Sequence, residues 1–222
     1  MTMYLAGGGT PEQESLVWAE AFAGAGRVVY WPFALPSTMA GGAAGWFAAA
    51  LAGLGLAVDD LDVWPSLDGR RPRELARADL LFVGGGLTSR LAAQVREHGF
   101  ADAVRDHVRG GGRYYGGSAG AVLCGESLEI AALADGDEDA TGQAGLGLLH
   151  GAAVLPHADV FGPESSAAWA RGLGRTVVAI PEASGLAVDG DRARVLGPDP
   201  VRVVRGAGAT VHEQGAELTL AG

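Results

Sequence analysis

Short apolar runs alternate with longer stretches of helical spacing over the first 125 residues. Residues 3–6 form an apolar run that ends in Gly7-Gly8-Gly9. Residues 27–31 and 80–83 are runs of the same kind apart from Arg27, and the last ends in Gly84-Gly85-Gly86. These predict strands, because a run this short and this apolar fits a pleated element buried on both faces, and residues 56–63, which carry Asp59, Asp60 and Asp62, also read as a strand. Between them the spacing predicts helices over 11–24, 42–54, 87–98 and 101–109, with a short one over 73–77. Thr10 is placed to cap the first of these, with Pro11 at its first position and acids in its first turn. Residues 113–115 predict a further strand that runs into Gly116-Gly117-Ser118-Ala119-Gly120-Ala121, followed by a helix to about Cys124. Beyond residue 174 the pattern changes. The short runs 176–180, 185–188, 192–195, 201–204 and 210–212 read as strands and hairpins added to one edge.

Strand and helix in alternation predict an α/β fold, with a mostly parallel sheet, helices on both faces and C-terminal antiparallel strands on one edge. No repeat of fixed period interrupts it, and 222 residues suit a single domain over 1–222. Such sheets bind ligands at the carboxyl ends of their strands. The glycine-rich turns at 7–9, 84–86 and 116–117 fall at three such ends.

Composition narrows the chemistry. The chain has no Lys and no Asn, and all 16 basic residues are Arg. That excludes a P-loop, a Schiff-base lysine, a Ser–Lys dyad and N-glycosylation. A net charge of −10 argues against nucleic acid as a partner; the cluster Arg70-Arg71-Pro72-Arg73 reads as a solvated loop. The lone cysteine, Cys124, allows no internal disulfide and no thiolate metal cluster. With no signal-peptide pattern it points to the cytoplasm. Residues 39–58 carry no charge until Asp59, but their glycines and alanines suit a buried helix followed by a strand better than a membrane span. No metal and no organic cofactor is expected.

Gly116-Gly117-Ser118-Ala119-Gly120 fits Gly-x-Ser-x-Gly. In a tight strand-to-helix turn the small neighbours let the chain reverse while the hydroxyl projects. The amide of Ala119 would then face a developing oxyanion. A serine nucleophile here needs a histidine base, since no lysine exists. His98 and His107 fall in helices that read as outer cover, and His212 falls in the terminal hairpins. His150 and His157 flank the apolar run 151–156, and His157, after Leu155-Pro156, is favoured because it follows a strand end. The acid that orients it has several candidates: Asp135, Asp137 and Asp139 in one loop, Asp159 two residues after His157, and Glu182 after the run 176–180.

Taken together, Gly7-Gly8-Gly9, Phe82-Val83-Gly84-Gly85-Gly86-Leu87-Thr88, Gly117-Ser118-Ala119-Gly120-Ala121, Leu155-Pro156-His157 and Ile180-Pro181-Glu182 occur in an order and spacing that resembles the peptidase E/cyanophycinase family. The resemblance spans nearly the whole chain. It implies a glutamine amidotransferase-like fold and a serine peptidase acting on short peptides through an acyl-enzyme. It implies a triad of Ser118, His157 and Glu182, with Asp135 as the counterpart of an alternative acid. It implies an oxyanion hole from the amides of Gly86 and Ala119, with Thr88 helping to hold substrate. Two positions depart from the family. Leu87 stands where the family has an asparagine. Glu164 or Ser165 stands near the place of an arginine that binds a substrate aspartate in aspartyl dipeptidases, and Arg171 lies about two helical turns later. These departures predict weak preference for an N-terminal Asp. The alternatives from other classes are a non-catalytic binding protein on the same scaffold, and an esterase whose acid lies at 135–139. Oligomeric state is not read from the chain.

Overall fold

The computed structural model describes residues 2–220. In chain order the elements are β1 (Thr2–Ala6), α1 (Ser15–Phe22), β2 (Arg27–Trp31), α2 (Ser37–Ala40), α3 (Ala43–Gly53), β3 (Asp60–Val63), β4 (Leu80–Val83), α4 (Thr88–Glu97), α5 (Ala101–Arg109), β5 (Arg113–Gly117), α6 (Ala119–Leu123) and α7 (Glu129–Asp135). There follow β6 (Ala153–Leu155), α8 (Pro163–Leu173), β7 (Val177–Ala179), β8 (Gly185–Asp189), β9 (Arg192–Leu196), β10 (Val201–Arg205), β11 (Gly208–His212) and β12 (Glu217–Thr219). A 3-10 turn spans Pro72–Arg77.

The main sheet has eight strands in the order β12-β9-β8-β1-β5-β4-β2-β3. The five from β1 to β3 run parallel, and β8, β9 and β12 extend it antiparallel. The period of two decides which face each residue joins. Met3, Leu5, Val29, Trp31, Leu81, Val83 and Tyr114 enter one core. Tyr4, Ala6, Val28, Tyr30, Leu80, Phe82 and Tyr115 enter the other, under α1 and α3. Phe82 and Tyr115 stack with ring centroids 4.0 Å apart, and Trp18 meets Phe82 edge-on at 5.0 Å. Truncating such a ring to alanine typically costs about 3–5 kcal/mol.

The C-terminal strands do not all join one edge. A second sheet of four strands, ordered β11-β10-β7-β6, takes β10 and β11 away from the main sheet. The hydroxyl of Ser184 guides the crossing, accepting from Asp199 N at 2.9 Å and donating to Asp199 O at 2.7 Å. Here β6 and β7 run parallel, so their carboxyl ends lie side by side.

Other differences are local. Thr10 does cap the turn after β1: Gln13 N donates to its hydroxyl at 3.3 Å and Thr10 N donates to Gln13 Oε1 at 2.8 Å. Regular helix begins only at Ser15. The strand expected over 56–63 starts at Asp60, because Leu56 N is still tied to Leu51 O and pairing begins where Asp59 and Asp60 donate to Gly26 O. The uncharged stretch 39–58 holds the 11-residue α3, and among the described residues no helix is long and apolar enough to cross a membrane. Arg70 is held 4.6 Å over Trp64 and near Asp62 and Glu74, so this member of the arginine cluster is tied to the protein's own acids and ring. His107 is buried rather than outer, with Nε2 2.9 Å from Arg113 O, and burial lowers its pKa.

Cys124 is fully buried behind the elbow, and burial pushes its thiol up to about 12. A thiol that is neutral and enclosed does not react as a nucleophile. Iodoacetamide at pH 8 should therefore leave the native protein unmodified, while the unfolded protein should take one label; intact-mass measurement before and after denaturation checks it.

Candidate active site

The elbow comes first. β5 ends at Gly117, Ser118 takes φ 49° and ψ −111°, and α6 begins at Ala119. A serine at positive φ stores on the order of 1–3 kcal/mol of backbone strain, which neighbouring contacts must hold. Ser118 N donates to Ala6 O at 3.2 Å, and Ser118 O accepts from Ala121 N and Val122 N at 2.8 and 3.0 Å. Gly120 lets α6 close on β4: a Cβ there would lie 2.5 Å from Val83 O.

His157 follows β6 and also takes positive φ, 50°. Its backbone N donates to Gly7 O at 2.9 Å, which ties the second sheet to the end of β1. Its Nε2 lies 3.0 Å from Ser118 Oγ, and its Nδ1 lies 2.9 Å from Glu182 Oε1. Glu182 follows β7, and its backbone N donates to Asp159 Oδ1 at 3.0 Å. The imidazole and the Glu182 carboxylate each remain partly open to solvent.

Gly8 fills the space beside this pair. A Cβ on Gly8 would lie 2.5 Å from His157 Cε1 and 2.8 Å from Ser118 Cβ. Glu14 fixes that turn from below. One carboxylate oxygen accepts from Gly8 N at 2.8 Å and Gly9 N at 3.0 Å. The other accepts from Trp18 Nε1 at 3.1 Å and from the Tyr115 hydroxyl. Glu14 is only 2% exposed, and burial raises its pKa against the four hydrogen bonds that favour the anion. Sequence reasoning passed over this residue. Its one available signal was an acid in the first turn after a glycine-rich strand end.

The expected oxyanion donors are the amides of Gly86, in the turn after β4, and of Ala119, which follows Ser118 at the start of α6. The amides of Gly86 and Ala119 have no acceptor among the described residues, whereas Leu87 N is engaged by Ala34 O at 2.9 Å. A small cavity of about 240 Å³ is lined by Gly86, Leu87, Thr88, Asp135, Asp137, Ser118 and His157. Thr88 is thus at the site, buried at the start of α4. Solvent reaches Asp135, yet its partial burial raises the carboxyl pKa; His157 opposes the rise and Asp137 adds to it. Asp137 accepts from Ser89 N at 2.8 Å.

The other candidates stand apart. Asp159 faces the backbone of Glu182 rather than the imidazole. Asp139 is exposed in the 3-10 turn Glu138–Ala140. His150 sits exposed in the turn before β6, and His212 pairs with the Thr210 hydroxyl at 2.8 Å. Glu164, Ser165 and Arg171 are on α8 and line neither cavity beside Ser118. On the far side of the nucleophile a larger cleft of about 700 Å³ opens under α2 and α3, reaching Ser118, His157, Gly85 and Gly86.

The family model of peptidase family S51 matches residues 3–196. Among curated proteins, peptidase E of Haemophilus influenzae is 39% identical over 61 residues, which is 27% of this chain and 28% of that protein. The alignment thus spans little more than a quarter of that relative's length. Among solved structures, a peptidase from an acI-B1 Actinobacterium superposes with a TM-score of 0.74 at 18% identity, covering 98% of this chain and 96% of that one. A Listeria monocytogenes EGD-e protein described as a peptidase E superposes with a TM-score of 0.68 at 21% identity, covering 88% and 98%. At these identities the likeness is one of fold. The match over residues 3–196 places the chain in a family: it belongs to peptidase family S51, the peptidase E group that its glycine turns and serine elbow resemble.

Proposed function

We propose that this chain is a serine peptidase that cleaves short peptides through an acyl-enzyme, with Ser118 as nucleophile, His157 as base and then acid, and Glu182 as the group that orients the imidazole. The observation that carries the reading is the continuous hydrogen-bonded line from Ser118 Oγ to His157 Nε2 and from His157 Nδ1 to Glu182 Oε1. In this scheme Ser118 Oγ gives its proton to Nε2 as the oxygen attacks the scissile carbonyl carbon. The carbonyl oxygen becomes an anion and takes hydrogen bonds from the amides of Gly86 and Ala119. The imidazolium returns its proton to the leaving amine, the C–N bond breaks, and water releases the acyl group by the same route in reverse. Glu182 accepts a hydrogen bond from the Nδ1–H throughout, without taking its proton, and so selects the productive tautomer. Thr88 bounds the substrate on the side of the small cavity. The whole of residues 1–222 serves as one catalytic unit, without metal or cofactor. The single unpaired Cys124 suits a reducing cytoplasm.

A second reading replaces Glu182 by Asp135. What favours it is that Asp135 lines the same small cavity as His157. It would need Asp135 to take the imidazole nitrogen that Glu182 holds at 2.9 Å.

Replacing Ser118 with Ala is expected to abolish turnover, with a loss on the order of a million-fold typical of a triad serine, while the thermal transition persists. Peptide hydrolysis retained by a pure Ser118→Ala sample would remove the mechanism.

The acids separate in a parallel series. Glu182→Gln should lower kcat/KM by roughly a thousand-fold or more, since an amide favours the wrong imidazole tautomer. Asp159→Asn keeps an oxygen acceptor for Glu182 N and should do much less, as should Asp135→Asn. A crippled Asp135→Asn beside a mild Glu182→Gln would transfer the role to the loop acid.

A further inference from the structure

The cleft of about 700 Å³ adjoining Ser118 is within the size range of small-molecule sites, roughly 300–1,000 Å³. Its walls are largely apolar and aromatic. Trp18, Tyr30, Phe82 and Tyr115 line its depth, and Met39 and Trp46 line its mouth. Met39 is 58% exposed and Trp46 50%, so large apolar surface is left uncovered beside the nucleophile. Surface of that kind marks a binding site more often than chance exposure does when it is contiguous and lies beside a reactive group.

Charge makes the same distinction. Among the described residues no arginine lines the cleft, and the one charged residue that does is Glu14. Both Glu14 oxygens are already committed, to Gly8 N and Gly9 N and to Trp18 Nε1 and the Tyr115 hydroxyl. A substrate carboxylate entering here would meet a buried anion and no counterion, which is costly. A substrate cation would find no free acceptor on Glu14. An aromatic ring would meet Trp18 and Trp46, themselves set at 82° with centroids 6.4 Å apart, in the edge and face geometries that rings prefer. The nearby guanidinium of Arg90 is turned to Ala34 O, at 3.4 Å.

The geometry points to a specificity pocket for a bulky aromatic side chain on the residue next to the scissile bond. This rests on Ser118 as the nucleophile and gives that reading a substrate class. The cleft holds the ring while Gly86 and Ala119 face the carbonyl oxygen, so apolar burial and carbonyl positioning act on adjacent atoms of one substrate.

The test measures kcat/KM for Phe-Ala, Ala-Phe, Ala-Ala and Asp-Ala with the wild-type enzyme and with Trp46→Ala, alongside fluorophosphonate labelling of Ser118. One Phe peptide is expected to exceed Ala-Ala by about tenfold or more, the scale on which an apolar pocket discriminates, and the arm that gains identifies the side of the bond. Trp46→Ala should cut that Phe-to-Ala ratio by about fivefold or more, since the ring loses one wall. Equal rates for Phe and Ala peptides, or Asp-Ala as the best substrate through a reoriented Arg90, would overturn the proposal. Labelling of Ser118 with no hydrolysis of any of the four would also overturn it, leaving the serine mechanism standing. Loss of both labelling and hydrolysis would remove the mechanism and the pocket together. A Phe advantage unchanged in Trp46→Ala would show that this cleft is not what reads the ring.

Discussion

The turn after β1 is where the chain has least room, and the site depends on it. Four segments converge there by backbone contact. Ala6 O holds Ser118 N, Gly7 O holds His157 N, Gly7 N reaches Ser184 O, and Gly8 lies against both the serine and the imidazole. Any side chain on Gly8 would occupy the space of His157. The turn is held by Glu14, a carboxylate that would be costly to bury without partners and that has one for each of its four strong acceptor positions. The same carboxylate joins Trp18 and Tyr115 to the glycine backbone. The packing of α1 on the sheet and the spacing of the two candidate catalytic residues are thereby parts of one network.

Two sheets meet at this turn. Ser118 stands at the end of β5 in the main sheet, whereas His157 and Glu182 stand at the ends of β6 and β7 in the second. Ser118 and His157 share an uncommon feature: both are non-glycine residues at positive φ. Strain of this sort persists only where surrounding contacts over-determine the backbone. Here those contacts are the bonds to Ala6 O and Gly7 O, which come from the same strand end. Facing side chains at 3.0 Å are the result.

Much of this was legible in the residues. The apolar run of β4 matches its strand end to end, because a strand buried on both faces leaves no polar position to blur its limits, and β2 departs from that only at its first residue, Arg27. Ser118, His157 and Glu182 were each readable as residues just past strand ends. What escaped has physical reasons. The parting of β10 from β8 and β9 goes with Ser184 gripping Asp199 across 15 residues, a contact that no local period encodes. α7 spans only seven residues, and α8 mixes Pro, Glu, Ser and Gly among its apolar positions, so neither shows a clear period. Glu14 looked like an ordinary first-turn acid, since burial and partners are tertiary facts. The aromatic cleft is built from residues on α1, β2, α3, β4 and β5, and only the assembled fold brings them together.

The central claim is that Ser118 becomes acylated. Rapid mixing with a p-nitrophenyl ester, acid quench, intact-mass analysis and peptide mapping test it most directly. The account predicts a burst of p-nitrophenol and one acyl group per chain, on the peptide that carries Ser118. A first turnover that leaves no acyl group on the protein, or one that places it on any other residue, would contradict it.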